Sequence, residues 1–317
     1  MKRVLDALWA LVGLGAVAFT SWLLFRELKG LSLAEVESGV RAISWLHWLL
    51  AVAATGLAYT ALAWYDQIAL NHLGWHLSWR FVGLVSFTTY ALAHNIGATV
   101  LSGAVIRYRA YSTKGLSAAE IGLLVAFCSV TFTLGALLLS GLVLLMDPDF
   151  IIRMGGSSAA SGRLVAVGLL LPPWLYAVGA LLHFRPIKLL GFKLEYPRPP
   201  IAVRQLLAGP IELIGAAGII YFALPVDANP GFLIVLAGFL ASFSLALISH
   251  APGGLGVLEL TFLKLVPDAP KADVVAALIV FRLLYLILPL IFSLVVVVLF
   301  ERERLAALVT QEKRSPP

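Results

Sequence analysis

Long apolar runs, rather than alternation, organise this chain. They fall at about 4–25, 47–70, 81–106, 117–146, 163–183, 205–224, 231–266 and 273–300. Runs of this length predict membrane-spanning helices. The continuous patterning excludes a β-barrel, whose strands alternate in and out. Two of the runs are interrupted. Residues 252–259 read Pro-Gly-Gly-Leu-Gly-Val-Leu-Glu. Pro252, Gly253 and Gly254 break a helix and free backbone groups that lipid cannot satisfy, so the break belongs where protein or a cavity surrounds it. Glu259 follows it, and broken helices with ionisable residues at membrane depth mark transport sites. The second interruption runs from Asn95-Ile96-Gly97 through Ser102-Gly103 and leads into Arg107-Tyr108-Arg109.

Composition agrees with the patterning. The chain is 61% hydrophobic and 13% charged, with a mean hydropathy of +0.95, which excludes a soluble globular protein and a disordered one. Its single cysteine, Cys128, leaves no intrachain disulfide and no cysteine metal site. No cofactor is expected. The net charge of +6 is read through topology, and no nucleic-acid partner is expected. Met1-Lys2-Arg3 followed by apolar residues resembles a signal peptide, with Ala16-Val17-Ala18 as a cleavage site. The run continues to Phe25, however, which favours an uncleaved first span. The tail from Glu301 to Pro317 is short and polar, with no soluble domain expected beyond it.

Charge decides between two topologies. If every run crossed once, the segment 184–204, with Arg185, Lys188, Lys193, Arg198 and Arg204, would lie outside, against the positive-inside rule. Treating 81–106 and 231–266 as re-entrant hairpins removes the conflict. It places 15 Lys and Arg residues on the cytoplasmic side and 7 outside, with both termini cytoplasmic. The two halves, 1–158 and 159–317, then share one order of span, span, hairpin, span, and face opposite ways. The expected fold is an all-α polytopic membrane protein of two inverted-topology repeats, a plan that places the site between them. The competing explanation is a coincidence of hydropathy. Residues 26–44 are expected to lie at the interface as an amphipathic segment.

Two constellations carry candidate chemistry. The first is Tyr90, His94, Asn95, Gly97, Ser102 and Gly103 with Arg107, Tyr108 and Arg109. Asn and Ser suit backbone groups freed at a tip, and guanidinium suits phosphate or carboxylate oxygens. The alternative for the arginines is an ordinary cytoplasmic anchor. The second is His250, Pro252, Gly253, Gly254, Gly256 and Glu259, where a glycine run exposes N–H groups as an anion nest. The alternative is a structural kink with a capped helix start. Arg282 sits inside the last run, in Phe281-Arg282-Leu283-Leu284-Tyr285, and Glu259 is its natural partner; otherwise it snorkels to an interface. Tyr285 and Glu212 are further candidates, Glu212 undecided between a site and a structural role. Asp66 reads as an ordinary residue near a cytoplasmic end, and His47, His72, His76 and His183 as interfacial. Metalloprotease, serine-hydrolase and P-loop templates are absent.

The stretch Ser86-Phe87-Thr88-Thr89-Tyr90-Ala91-Leu92-Ala93-His94-Asn95-Ile96-Gly97, with Leu101-Ser102-Gly103-Ala104-Val105-Ile106-Arg107-Tyr108-Arg109, resembles the lysylphosphatidylglycerol synthase transmembrane-region family. Pro252 to Glu259 and Arg282 resemble its second signature. The family includes the flippase half of the multiple peptide resistance factor. The resemblance spans essentially the whole chain. It implies a lipid-translocating domain of the bacterial inner membrane, with Asn95, Ser102, Arg107, Arg109, Glu259 and Arg282 along the path. Within such a path the residue chemistry leads one to expect Arg107 and Arg109 to receive the headgroup phosphate, while Glu259 attracts an aminoacyl amine or holds Arg282. The sequence lacks the aminoacyl-transferase domain of the full-length factor, so the chain is not expected to be an enzyme, and other lipids are open as substrates. Without an ATPase motif, the movement is facilitated or gradient-driven. The implied partners are anionic or aminoacylated membrane phospholipids and a separate lipid synthase. Two other readings stay open: a membrane-embedded enzyme acting on a polyprenyl or phospholipid phosphate, and an accessory subunit of a lipid synthase.

Overall fold

The computed structural model describes residues 33–96, 99–182, 187–189, 192–194 and 196–299. The expected span 4–25, the tail 301–317, Gly97, and the side chains of Ser102 and Pro252 lie outside the described residues. In chain order the helices are α1 (Leu33–Ala42), α2 (Trp45–His72), α3 (Trp79–Ile96), α4 (Thr99–Tyr111), α5 (Ala118–Met146), the single turn α6 (Phe150–Arg153), α7 (Ala159–Leu181), α8 (Pro199–Ala223), α9 (Phe232–Ile248), α10 (Val257–Leu265) and α11 (Lys271–Leu299). Five of them, α2, α5, α7, α8 and α11, are long and apolar enough to cross a membrane. The basic segment between α7 and α8 carries a short antiparallel strand pair, Ile187–Leu189 with Phe192–Leu194.

Helix starts follow local chemistry. Ser44 accepts from the His47 N–H at 3.3 Å to cap α2. Ser117 and Glu120 form a reciprocal capping box on α5, and Trp75 Nε1 donates to the same glutamate at 2.9 Å. α1 packs on the start of α11, where a Cβ added at Gly39 would lie 3.0 Å from the Ala276 Cβ.

Small residues let the spans approach closely. α2 and α8 meet where a Cβ at Gly215 would lie 2.8 Å from the Ala58 nitrogen and 2.9 Å from the Ala54 carbonyl. α5 and α8 cross with almost no space, since a Cβ at Gly209 would lie 2.6 Å from Cα of Gly135. Close backbone packing replaces the hydrophobic drive that lipid removes. Beside the crossing of α5 and α8, a polar brace reaches α7: Gln205 Nε2 donates to Thr131 Oγ1 at 2.7 Å and the Tyr176 hydroxyl donates to Gln205 Oε1. Gly209→Ala is therefore expected to cost about 1–3 kcal/mol by overpacking, read as a lower thermal midpoint in detergent. Gly56→Ala meets nothing within 4 Å and is expected to be neutral or slightly stabilising. Equal midpoints for the two variants would contradict the close crossing.

Two helix–break–helix units stand between the spans: α3 with α4, and α9 with α10. The second helices are short, 13 and 9 residues. The order span, broken pair, span occurs twice. Starts at Trp45, Trp79 and Ala118 correspond to starts at Pro199, Phe232 and Lys271, offsets of 154, 153 and 153 residues.

Candidate functional site

The chain reverses between α9 and α10 through residues with left-handed backbone. Gly253, Gly254 and Gly256 have φ of 59°, 63° and 77°, and His250 has φ 54°. Glycine takes such angles at no steric cost, and at Gly254 a Cβ would also lie 2.9 Å from the Ala246 Cβ. The turn delivers Glu259 to the first turn of α10. Its Oε2 accepts the Gly256 N–H at 2.9 Å, and its Oε1 accepts from Arg282 Nε on α11. Arg282 Nη1 also donates to the Gly253 carbonyl at 3.0 Å. One guanidinium thus pins the turn to α11, and its Nη2 is buried without a hydrogen bond. The side chains of the pair are 17% and 14% exposed. Arg282 pairs instead of snorkelling, as the sequence led one to expect.

The end of α3 abuts this turn: a Cβ at Gly253 would lie 3.9 Å from the His94 carbonyl. α11 meets both at an irregularity of its own, a π-helical turn over Arg282–Ile287. Pro289 accounts for it. Proline has no N–H to offer the carbonyl four residues back and its ring crowds that carbonyl, so the turn widens. The carbonyl in question belongs to Tyr285, and the Tyr59 hydroxyl donates to it at 2.9 Å. Asn95 Nδ2 donates to the neighbouring Leu286 carbonyl at 3.1 Å and to Ala91 at 2.8 Å. Asn95 therefore serves the irregular backbone of α11 and the helical carbonyl four residues back, rather than groups freed at its own tip. π-turns of this kind recur at functional sites.

Aromatic rings continue the cluster inward. His94 stacks on Tyr285 with centroids 5.3 Å apart, and Tyr90 lies 5.7 Å from His94. The Tyr285 hydroxyl donates to Glu212 Oε1 at 2.6 Å. Glu212 is fully buried on α8. His250 turns away, exposed, with Nδ1 2.8 Å from the Ile248 carbonyl.

Arg107 departs from its expected part. It is 3% exposed and committed to Asp66, with Nε and Nη2 donating to Oδ2 and Oδ1 at 3.1 and 2.6 Å. The Tyr111 hydroxyl donates to Asp66 Oδ2 at 2.7 Å, Cys128 Sγ lies 3.5 Å from Oδ1, and the guanidinium sits 4.9 Å from the Tyr90 ring centroid. Arg107 and Arg109 therefore do not form a joint clamp for phosphate: a helical offset of two residues sends Arg107 inward and leaves Arg109 exposed. Asp66 is likewise no ordinary end residue, being wholly buried. Asp66 was read as ordinary, and the roles of Tyr59, Tyr65, Tyr111 and Pro289 escaped the sequence reading. The available signals were a carboxylate and a proline inside apolar runs. Among the described residues no three His, Cys, Asp or Glu side chains converge as a metal site.

The model of the family described as the lysylphosphatidylglycerol synthase TM region matches residues 10–293. The chain belongs to this family. It is 31% identical over 239 residues to an uncharacterized protein of Synechocystis sp., covering 73% of this chain and 72% of that one. Inner membrane protein YbhN of Escherichia coli is 29% identical over 272 residues, covering 85% of each. A phosphatidylglycerol lysyltransferase of Staphylococcus aureus is 24% identical over 281 residues, 86% of this chain but 31% of that protein. This family member is thus a multi-pass membrane protein that corresponds to about a third of the lysyltransferase.

Proposed function

We propose that this protein carries a phospholipid headgroup, such as that of aminoacyl-phosphatidylglycerol, between the leaflets of a bacterial inner membrane, and that it is a transporter rather than an enzyme. The observation that carries this reading is the Glu259–Arg282 pair, partly exposed where two helix breaks and a π-turn meet. A charge pair at membrane depth is costly to maintain, and such pairs mark the routes of polar substrates. The Nη2 of Arg282, buried without a hydrogen bond, is a donor that a phosphate oxygen would satisfy once the turn opens to it. Support also comes from the partial match to a lysyltransferase acting, by its name, on phosphatidylglycerol.

In this reading α3–α4 and α9–α10 are re-entrant hairpins of two inverted repeats, 1–158 and 159–317, with both termini cytoplasmic. The near-equal offsets of the corresponding helices support the repeat. Asn95, Gly253, Gly254, Glu259 and Arg282 line the path, with Tyr90, His94 and His250 at its margins. Arg109 meets the phosphate at the cytoplasmic rim. Arg107, held by Asp66, positions α4. The acyl chains stay in lipid, so only the headgroup needs a polar route. A separate synthase would supply an aminoacylated substrate.

The test is lipid movement in proteoliposomes containing only this protein. Headgroup-labelled phosphatidylglycerol and lysyl-phosphatidylglycerol are compared by accessibility to an impermeant quencher. Loss of protection faster than in empty vesicles is expected for at least one of them. Background rates for both lipids would reject the proposal, and release of inorganic phosphate from a lipid phosphate would replace it with an enzymatic one.

A further inference from the structure

Three carboxyl groups are held within the helical bundle near these breaks, and they are not equivalent. Asp66 is paired with Arg107 and Glu259 with Arg282. In each case one cation balances one anion. Glu212, 1% exposed, meets no cation among the described residues. The titratable groups facing it are tyrosines: Tyr285 of α11, whose hydroxyl donates to Oε1, and Tyr65 and Tyr59 of α2. From α3, His94 reaches it only through the stacked ring of Tyr285. Hydrogen-bonding capacity is left over here. Glu212 Oε2, the Tyr65 hydroxyl and His94 Nδ1 are all buried without a hydrogen bond of standard geometry. An unbalanced carboxylate in such surroundings is far costlier than the neutral acid. The neutral acid has an O–H to give, and the Tyr65 hydroxyl beside it is free to accept one.

The position makes that proton consequential. Tyr285 holds Glu212 with its hydroxyl and lies one turn beyond Arg282, on the π-turn itself. With Glu212 neutral, the group formed by Glu212, Arg282 and Glu259 carries no net charge. With Glu212 ionised it carries one negative charge, which repels an anionic headgroup.

We propose that Glu212 is a proton-binding site that couples lipid movement to proton movement, one proton travelling with one anionic headgroup, that of phosphatidylglycerol without its aminoacyl group. The inference rests on the lipid-transport reading above. A proton from water on one face of the membrane forms an O–H bond at Glu212 Oε2. The same bond breaks when the proton leaves to water on the other face, restoring the carboxylate, and no other bond changes. Headgroup and proton move in the same direction, so a singly charged lipid crosses without net charge transfer.

The experiment uses the full chain in phosphatidylcholine vesicles holding a trace of headgroup-labelled phosphatidylglycerol. The membrane potential is clamped to zero with potassium and valinomycin. With the lumen one pH unit more alkaline than the bath, the label is expected to accumulate about tenfold in the inner leaflet, one decade per pH unit for one coupled proton. Reversing the gradient reverses the accumulation. In Glu212→Gln the leaflet ratio is expected to stay near one under either gradient. Should that variant fail to fold, a lumenal pH dye in wild-type vesicles decides: one proton entering per lipid is expected, and lipid entry without proton entry overturns the proposal. Wild-type movement indifferent to the gradient overturns the coupling and leaves the transport reading standing. Background rates without any gradient overturn the transport reading, and the coupling with it.

Discussion

Asp66→Ala is expected to destabilise the protein by about 3–5 kcal/mol, because it leaves Arg107 as a buried cation without its anion. The two side chains are 4% and 0% exposed, so water cannot take over, and Tyr111 loses its acceptor as well. Detergent-solubilised protein should show a sharply lower thermal midpoint and a low yield of monodisperse material. Arg107→Ala should behave similarly, since it strands the carboxylate. The double variant Asp66→Leu with Arg107→Leu should recover much of the loss, because replacing a buried pair by apolar groups is often neutral. If the single and double variants melt alike, or if Asp66→Ala melts like wild type, the pair does not brace α2 against α4.

Arg282→Ala should leave the protein folded yet slow lipid movement by about 10–100-fold, the equivalent of about 1.5–3 kcal/mol for charge-assisted contacts. Glu259→Ala should do the same, for two reasons acting at once. It releases Arg282, and it uncaps the Gly256 N–H at the start of α10. The exchange of the two residues, Glu259→Arg with Arg282→Glu, separates these roles. It restores opposite charges but supplies no acceptor for Gly256 and no donor for the Gly253 carbonyl. The exchanged protein should therefore remain slow. Wild-type rates in the exchanged protein would mean that charge balance alone matters and that the turn needs no pinning.

The five membrane-length helices were legible because hydropathy needs only length and composition, both of which are local. The break at 252–256 was legible too, since a Pro-Gly-Gly run with a further glycine favours a turn, although Pro172, Pro173 and Pro210 leave their helices intact. Cost made Glu259 the natural partner of Arg282, with a substrate amine left as the alternative, and the two side chains do pair. What hydropathy does not carry is azimuth. Asp66 looked terminal because it lies six residues before the end of α2, yet it faces inward. Arg107 and Arg109 looked like one clamp because they are near in sequence, while the helix turns them apart. The contacts from Tyr59 and Asn95 to the carbonyls of α11 span 226 and 191 residues. No local rule connects such positions. Glu212 was left undecided for the same reason, its character being set by the tyrosines of two other helices.

The widened turn at Arg282–Ile287 amounts to a one-residue insertion within α11. At 3.6 residues per turn, one extra residue rotates everything downstream by about 100°. A helical wheel drawn continuously from Lys271 to Leu299 therefore assigns the wrong face to every position after Ile287, although Phe292, Val295 and Leu299 in fact point outward. A relative whose last helix is one residue shorter at this turn would keep the same hydropathy profile. It would nonetheless lose the phase relation between the arginine and the lipid-facing stripe. Length at this turn, rather than residue identity along the stripe, then becomes the feature by which members of the family are to be aligned.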